Sequence, residues 1–305
     1  MEFVNSLVKV VSCLLSKLCE VGWNIAVRQG SPGLILENQT KPFELIPNSW
    51  RSWEADPFPI EHNGTLYIFA EIFDYLKRRG RIGYTRLIEG KWQPWKIVID
   101  EPFHMSYPNV FEYKGEIYMI PETSADRTLR LYKAVNFPDQ WELAKVIEHD
   151  IAFVDTTLFL GKSGMCAITS EISNYPTQVD MMLVFDENWN ILSKTVIQEE
   201  RTEFSRCAGN VISLNNRRIR VSQNCDGHYG KGMIFSELNE QTLTDGLGEI
   251  VLQLTPQDVA VNEKRKWTGL HTYNYTQHYE VVDVERNHCT LPSFFGRLWY
   301  KLMHI

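Results

Sequence analysis

Along this chain, short apolar strands are interrupted by polar residues at a fixed spacing. One such phrase starts at Asp56, turns at Gly64, passes Tyr67 and ends at Glu71. The next starts at Tyr107, turns at Gly115, passes Tyr118 and ends at Glu122. Both keep offsets of 8, 11 and 15 from their first residue. A third copy reads Asp155, Gly164, Glu171, with one extra residue before the turn, and a weaker fourth reads Ala208, Asn216, Ile219, Gln223. A Trp-led β segment keeps step with them: Trp92 opens WQPWKIVI, Trp141 opens WELAKVI and Trp189 opens WNILSKTVI. Each unit therefore predicts strand, glycine turn, strand, polar connection and a further β segment. That is about four strands per unit, one propeller blade, and self-similarity at roughly 50 residues marks such repeats.

The segment WNIAVR, residues 23–28, alternates like a strand but precedes the first phrase by some thirty residues. Closed propellers commonly complete the last blade with a strand from the opposite chain end. Residues 23–28 are therefore expected to pair with residues 271–276 and 279–286, giving five blades and no free sheet edge. The predicted fold class is all-β: a five-bladed β-propeller over residues 21–288. A short N-terminal amphipathic helix over 1–20 precedes it, and a basic, aromatic tail over 289–305 follows. In that helix Leu7, Val8, Val11, Leu14, Leu15 and Leu18 share a face opposite Ser6, Lys9, Ser16 and Lys17. The lysines and the length exclude a spanning helix. Two placements fit it: a cap on one face of the propeller, or a helix lying in a membrane interface.

The sequence of 305 residues shows no Pro- or Ser-rich linker, and its formal charge is -7. An acidic balance argues against a nucleic-acid partner, which requires a basic stripe. Six cysteines (Cys13, Cys19, Cys166, Cys207, Cys225, Cys289) form no CxxC and no cluster of zinc spacing. Reduced thiols and a cytoplasmic setting, peripheral at the inner membrane, are the expectation. No metal and no cofactor are expected. Asn63 heads one of three sequons but sits in an Asn-Gly turn, where its role is conformational.

The repeat register makes a prediction about chemistry. In each blade the innermost strand starts, and the second strand ends, at the same rim. Asp56, Tyr107 and Asp155 should therefore converge with Glu71, Glu122, Glu171 and Gln223 on one mouth. Arg206, two residues before the fourth phrase, enters there too and suits a carboxylate or phosphate. The loop SQNCDGHYGKG brings Asp226 and His228 over the site, and His271 opens the innermost strand of the fifth blade. Crowded carboxylates raise one another's pKa, and paired carboxylates across a funnel are what glycosidic chemistry uses. Acidic residues at strand ends also serve as plain hydrogen-bond anchors between blades.

The phrases EADPFPIEHNGTLYIFAE, EPFHMSYPNVFEYKGEIYMIPETS, LRLYKAVNFPDQWEL, VDTTLF and SQNCDGHYG together resemble the N-terminal propeller domain of plant glucosamine inositolphosphorylceramide transferases. The likeness covers roughly residues 22–285. It implies a five-bladed propeller related to glycoside hydrolase families 43, 32 and 130. In the family 43 pattern an Asp on the first blade is the base, which Asp56 matches. A second Asp usually opens the second blade, where this chain has Tyr107.

The expected function is glycosyl transfer in cell-surface glycan or glycolipid biosynthesis. Its partners would be a sugar donor and a glycan or glycolipid acceptor, with membrane contact through both termini. Asp56 is the expected base, Asp155 and Glu122 orient the sugar or tune charge, and Arg206 and His271 hold a donor phosphate. Glu71, Tyr107, Glu171, Gln223, Asp226 and His228 complete the expected binding set. Hydrolysis of the family 43 type and glycan binding without turnover are the alternatives.

Overall fold

The computed structural model describes residues 19–162, 164–174, 177–199, 206–239 and 248–303. The expected N-terminal helix lies outside them, except that Cys19 and Glu20 are already in strand. The chain opens with β1 (Cys19–Gln29), a single helical turn α1 (Leu34–Glu37) and β2 (Glu44–Leu45). The first blade follows as β3 (Ser52–His62), β4 (Thr65–Asp74), β5 (Arg79–Ile88) and β6 (Lys91–Trp92), with β7 (Lys96–Ile99) also on β5. The second is β8 (Ser106–Tyr113), β9 (Glu116–Glu122), β10 (Thr128–Asn136) and β11 (Gln140–His149). The third is β12 (Phe153–Gly161), β13 (Gly164–Asn174), β14 (Thr177–Phe185) and β15 (Ile191–Glu199). The fourth is β16 (Ile212–Leu214), β17 (Arg217–Asn224), β18 (Gly232–Glu237) and β19 (Ile250–Leu254).

The fifth blade is made from both ends of the chain. β20 (Gly269–Tyr275) and β21 (Tyr279–Cys289) join β1 and β2 in the order β2-β1-β21-β20. β1 pairs with β21 along its whole length, from Cys19 opposite Cys289 to Gln29 opposite Tyr279. This is the closure that the alternation of residues 23–28 predicts with residues 279–286; residues 271–276 pair with β21 instead of β1. The hairpins form for a local reason: Asn63 (φ 50°) and Gly64 (φ 72°) occupy the left-handed region, as a two-residue hairpin turn requires. Apolar side chains then fill the seams between blades. Phe58 and Phe69 of the first blade meet Tyr107 and Met119 of the second in one buried cluster.

Cys19 and Cys289 form a disulfide across a separation of 270 residues. The expectation of wholly reduced thiols is corrected here. The antiparallel register sets the two cysteines opposite each other, and no spacing along the sequence reveals that. Cys166 and Cys207 are free and buried, and Cys225 is free and half-buried. A buried ion pair reinforces the closing blade: Arg28 Nε meets Glu280 Oε2 at 2.6 Å, while Glu280 Oε1 accepts from the Tyr273 hydroxyl at 2.6 Å. The C-terminal tail is a helix, α2 (Leu291–Met303), set against β1 and β21 of the fifth blade and the Tyr75 turn of the first. Gly296 allows this contact, because a Cβ there would come within 1.7 Å of the Tyr75 carbonyl oxygen.

Glu54, on β3, is fully buried and accepts from the Ser52 hydroxyl at 2.7 Å and the Ser49 amide at 3.3 Å. Burial pushes its pKa from 4.5 to about 8. The folded chain thus holds a proton that the unfolded chain releases, so stability falls as pH rises between those values. Glu54→Gln should flatten this fall by a few kcal/mol, at about 1.4 kcal/mol per pH unit. Urea midpoints of both proteins near about pH 5 and about pH 9 measure it. An unchanged difference between the two pH values would show that Glu54 is ionised in the fold.

Candidate functional site

The same irregularity recurs in the innermost strands. In β3, Ala55 faces Glu71 and Phe58 faces Phe69, so Asp56 and Pro57 bulge between them. In β8 the bulge holds Tyr107 and Pro108, in β12 Asp155 and Thr156, and in β20 His271 and Thr272. Asp56, Tyr107 and Asp155 have φ of 51°, 45° and 49°, and Arg206 in the fourth blade has 36°. Bulges re-aim side chains, and non-glycine residues held at positive φ store strain that cooperating contacts must offset. Here those contacts cross from blade to blade. The Tyr107 amide donates to Asp56 Oδ2 at 3.1 Å, and the Asp155 amide to Glu122 Oε2 at 3.4 Å.

Asp56 and His271 form one side of the mouth. Asp56 Oδ1 accepts from the Thr272 hydroxyl at 3.0 Å and lies 3.3 Å from His271 Nε2. His271 Nδ1 is 2.8 Å from Asp283 Oδ2. Asp283 also accepts from three backbone amides: Asp56 at 3.0 Å, His271 at 3.2 Å and Thr272 at 2.9 Å. The His271 ring stacks on Trp23 at 3.8 Å and meets Tyr229 edge-on at 5.3 Å. Burial raises the Asp56 pKa to about 6; His271 opposes the rise, while Asp283 and Asp155 add to it. Burial lowers the His271 pKa, but Asp283, Asp56 and Asp155 together outweigh it and the net shift is upward.

The other side is built on Arg206. Its Nε lies 2.5 Å from Asp155 Oδ2, its Nη2 lies 3.4 Å from Glu122 Oε2, and its guanidinium sits 5.4 Å from the centre of the Tyr229 ring. Gln223 Nε2 donates to Asp155 Oδ2 at 3.0 Å. Burial raises Asp155 to about 6 as well, against the pull of Arg206. Glu71 is buried with no hydrogen-bond partner on Oε1, and His104 Nε2, whose pKa burial lowers, lies 3.5 Å from it. Desolvation and the surrounding carboxylates, Asp56 first among them, push Glu71 well above the ordinary carboxylate range. The crowding expected from the repeat is present, but burial contributes more to these shifts than repulsion does.

Asp56, Asp155, Glu71, Glu122, Arg206, Gln223 and His271 thus come together. Tyr107 does not offer its side chain to the mouth. It is completely buried, and its hydroxyl is held by the Gly209 amide and the Thr157 hydroxyl, both at 2.7 Å. Glu171 is displaced from the expected ring. Val154, the residue before the bulge, faces Ser170, just as Ala55 faces Glu71. Ser170 therefore takes the position assigned to Glu171, whose side chain points to the other face of the strand. Asp226 is exposed and pairs with Lys231 at 3.2 Å, and His228 is exposed nearby. Neither has a contact with the mouth among the described residues. Asp283, Trp23 and Thr272 join the site unanticipated, and Tyr229 reaches it from the loop expected to cover the site. Asp56, His271 and Asp283 bring ligand-capable atoms within 4.8 Å of one another, the one group among the described residues that could hold a cation. Their donors and acceptors are already engaged with each other and with the backbone amides.

The family model for "Glucosamine inositolphosphorylceramide transferase 1, N-terminal" matches residues 47–286. The chain belongs to this family. It is 30% identical over 230 residues to glucosamine inositolphosphorylceramide transferase 1 of Arabidopsis thaliana, and 26% identical over 233 residues to the protein of that name in Oryza sativa subsp. indica. Each match takes in 72% of this chain but only 30% of the relative, so the family member described here spans less than a third of these proteins. In fold it is similar to the catalytic domain of the Coprinopsis cinerea GH62 alpha-L-arabinofuranosidase, with a TM-score of 0.57 at 12% identity over 82% of this chain and 83% of that one. The Podospora anserina alpha-L-arabinofuranosidase gives 0.54 at 11% identity over 76% and 90%. At these identities the likeness shows the five-bladed fold alone.

Proposed function

We propose that this propeller is a carbohydrate-active domain that binds a glycosyl donor and a glycan or glycolipid acceptor at the carboxylate mouth and transfers the sugar between them. The observation that carries this reading is Asp56. It is buried, poised at about 6, and oriented by Thr272 on one oxygen and the Tyr107 amide on the other. A general base works best with a pKa near the operating pH, and Asp56 would take the proton from an acceptor hydroxyl. On the opposite side, Arg206 is held by two carboxylates in a geometry that a donor phosphate could share. The plant relatives carry sugar transfer in their names, but this chain matches only 30% of their length, so the name alone does not carry the reaction over.

Hydrolysis is the second reading, and Glu71 favours it. A carboxyl group kept protonated beside an ionisable Asp56 is the acid half of a glycosidic pair. The cytoplasmic setting expected from the scattered cysteines fits poorly with the Cys19–Cys289 bridge, because such bridges persist in oxidising compartments. We therefore favour a working surface that faces an oxidising space.

Thermal shift across sugar nucleotides, phosphosugars and free oligosaccharides tests the proposal. A donor at 100 times its dissociation constant should stabilise the chain by about 2.7 kcal/mol. Stabilisation by oligosaccharides alone, with release of free sugar, would replace transfer by hydrolysis. Stabilisation without any turnover would leave a glycan-binding module.

A further inference from the structure

α2 packs on the propeller the wrong way round for an ordinary surface helix. Its inward face carries the buried Ser293 and Gly296, and Gly296 lies against the Tyr75 main chain. Its outward face carries Leu291, Phe295, Leu298, Trp299 and Leu302, at positions i, i+4, i+7, i+8 and i+11, all 44–65% exposed. A surface helix normally buries its apolar stripe against the core. This one turns it to solvent. Its thirteen residues include Arg297 and Lys301 and no acidic side chain.

The position of α2 matters as much as its composition. β21 passes the mouth at Asp283 and runs on to Cys289, so α2 begins beyond the mouth end of the fifth blade. It rests on Tyr75, just past the end of β4, the strand that delivers Glu71 to the same rim. Trp50, 71% exposed, and Leu76, 42% exposed, stand at this same end of the first blade. The disulfide holds Cys19 beside Cys289 at this end. No helix among the described residues is long and apolar enough to cross a membrane.

We infer that α2 is a membrane-surface anchor that inserts its apolar face into a lipid interface and turns the carboxylate mouth towards the bilayer. An exposed apolar stripe with interfacial Trp and Tyr and flanking cations is the composition that lies in the headgroup region. Lys301 and the lack of acidic residues on α2 complement anionic headgroups, although the chain as a whole is acidic; Arg297 is turned inward, to the Cys19 carbonyl at 2.7 Å and Glu20 at 3.6 Å. The arrangement deepens the proposed function, because a glycolipid acceptor would then present its headgroup directly to Asp56 and Arg206.

The test is flotation of the full chain with vesicles of phosphatidylcholine and phosphatidylglycerol. The wild type should float, and more strongly as the anionic fraction rises. Phe295→Ser/Trp299→Ser/Leu302→Ser should lower partitioning by roughly a hundredfold or more, given the apolar surface removed, with an unchanged melting curve in solution. Wild-type protein that stays unbound, or a triple variant that floats equally well, overturns the inference. So does binding seen only after deletion of residues 1–18, which would make that segment the natural cover, or a dimer dissolved by the triple variant without vesicle binding. The sugar-nucleotide thermal shift is measured without lipid and reads the mouth alone, so either idea can fail while the other stands.

Discussion

Asp56→Asn is expected to lower turnover by about 10²–10⁴-fold, the usual contribution of a positioned general base, while donor affinity stays within a few-fold. The amide keeps a carbonyl oxygen for the Tyr107 amide and the Thr272 hydroxyl but cannot take a proton. Single-turnover assays set beside a binding titration separate the two effects. In the wild type the base must be ionised, so kcat/KM should rise with pH along a limb near 6, the value to which burial lifts this carboxylate. In Asp56→Asn that limb should vanish with the activity. Wild-type turnover in the variant would remove Asp56 from the reaction, whether the reaction is transfer or hydrolysis.

The second large effect concerns closure. Cys289→Ser, or reduction of the wild type, should destabilise the fold by about 2–5 kcal/mol, towards the upper end because the bridge closes nearly the whole chain. β1 pairs with β21 residue by residue without the bridge, so the variant should still fold, with a lower midpoint. Urea melts of the wild type with and without reductant, and of the variant, give the comparison. Equal midpoints in all three would mean that the strand pairing alone seals the ring.

The blade count, the closing strand and the convergence of Asp56, Asp155, Glu71 and Glu122 were legible because propellers repeat at fixed register. Glu171 shows where that reading slips. Gly164 was aligned with the turn glycines Gly64 and Gly115, yet it is the first residue of β13 and pairs with Gly161. Counted at the offset of 15 that links Asp56 to Glu71, Asp155 leads to Ser170, and the apparent extra residue disappears. Tyr107 kept its register but not its destination, since a ring that long reaches past the rim to Thr157 and Gly209. Asp283 could not be picked out by alternation. Val281, Val282 and Val284 around it are all fully buried, so neither face of β21 looks polar. Its partner, the bulge at His271, exists only once β20 and β21 are paired. The disulfide is hidden for a similar reason, because its two halves meet only when the ring is shut.

Asp56, Tyr107, Asp155 and Arg206, each held at positive φ, share one further property. Left-handed main-chain torsion sets the direction in which each of these residues leaves the backbone at the rim. They act as four equivalent sockets, and the plug in each can change from acid to phenol to guanidinium without moving the frame. Each plug is also tied to the blade beside it, so a substitution in one socket is felt in the next.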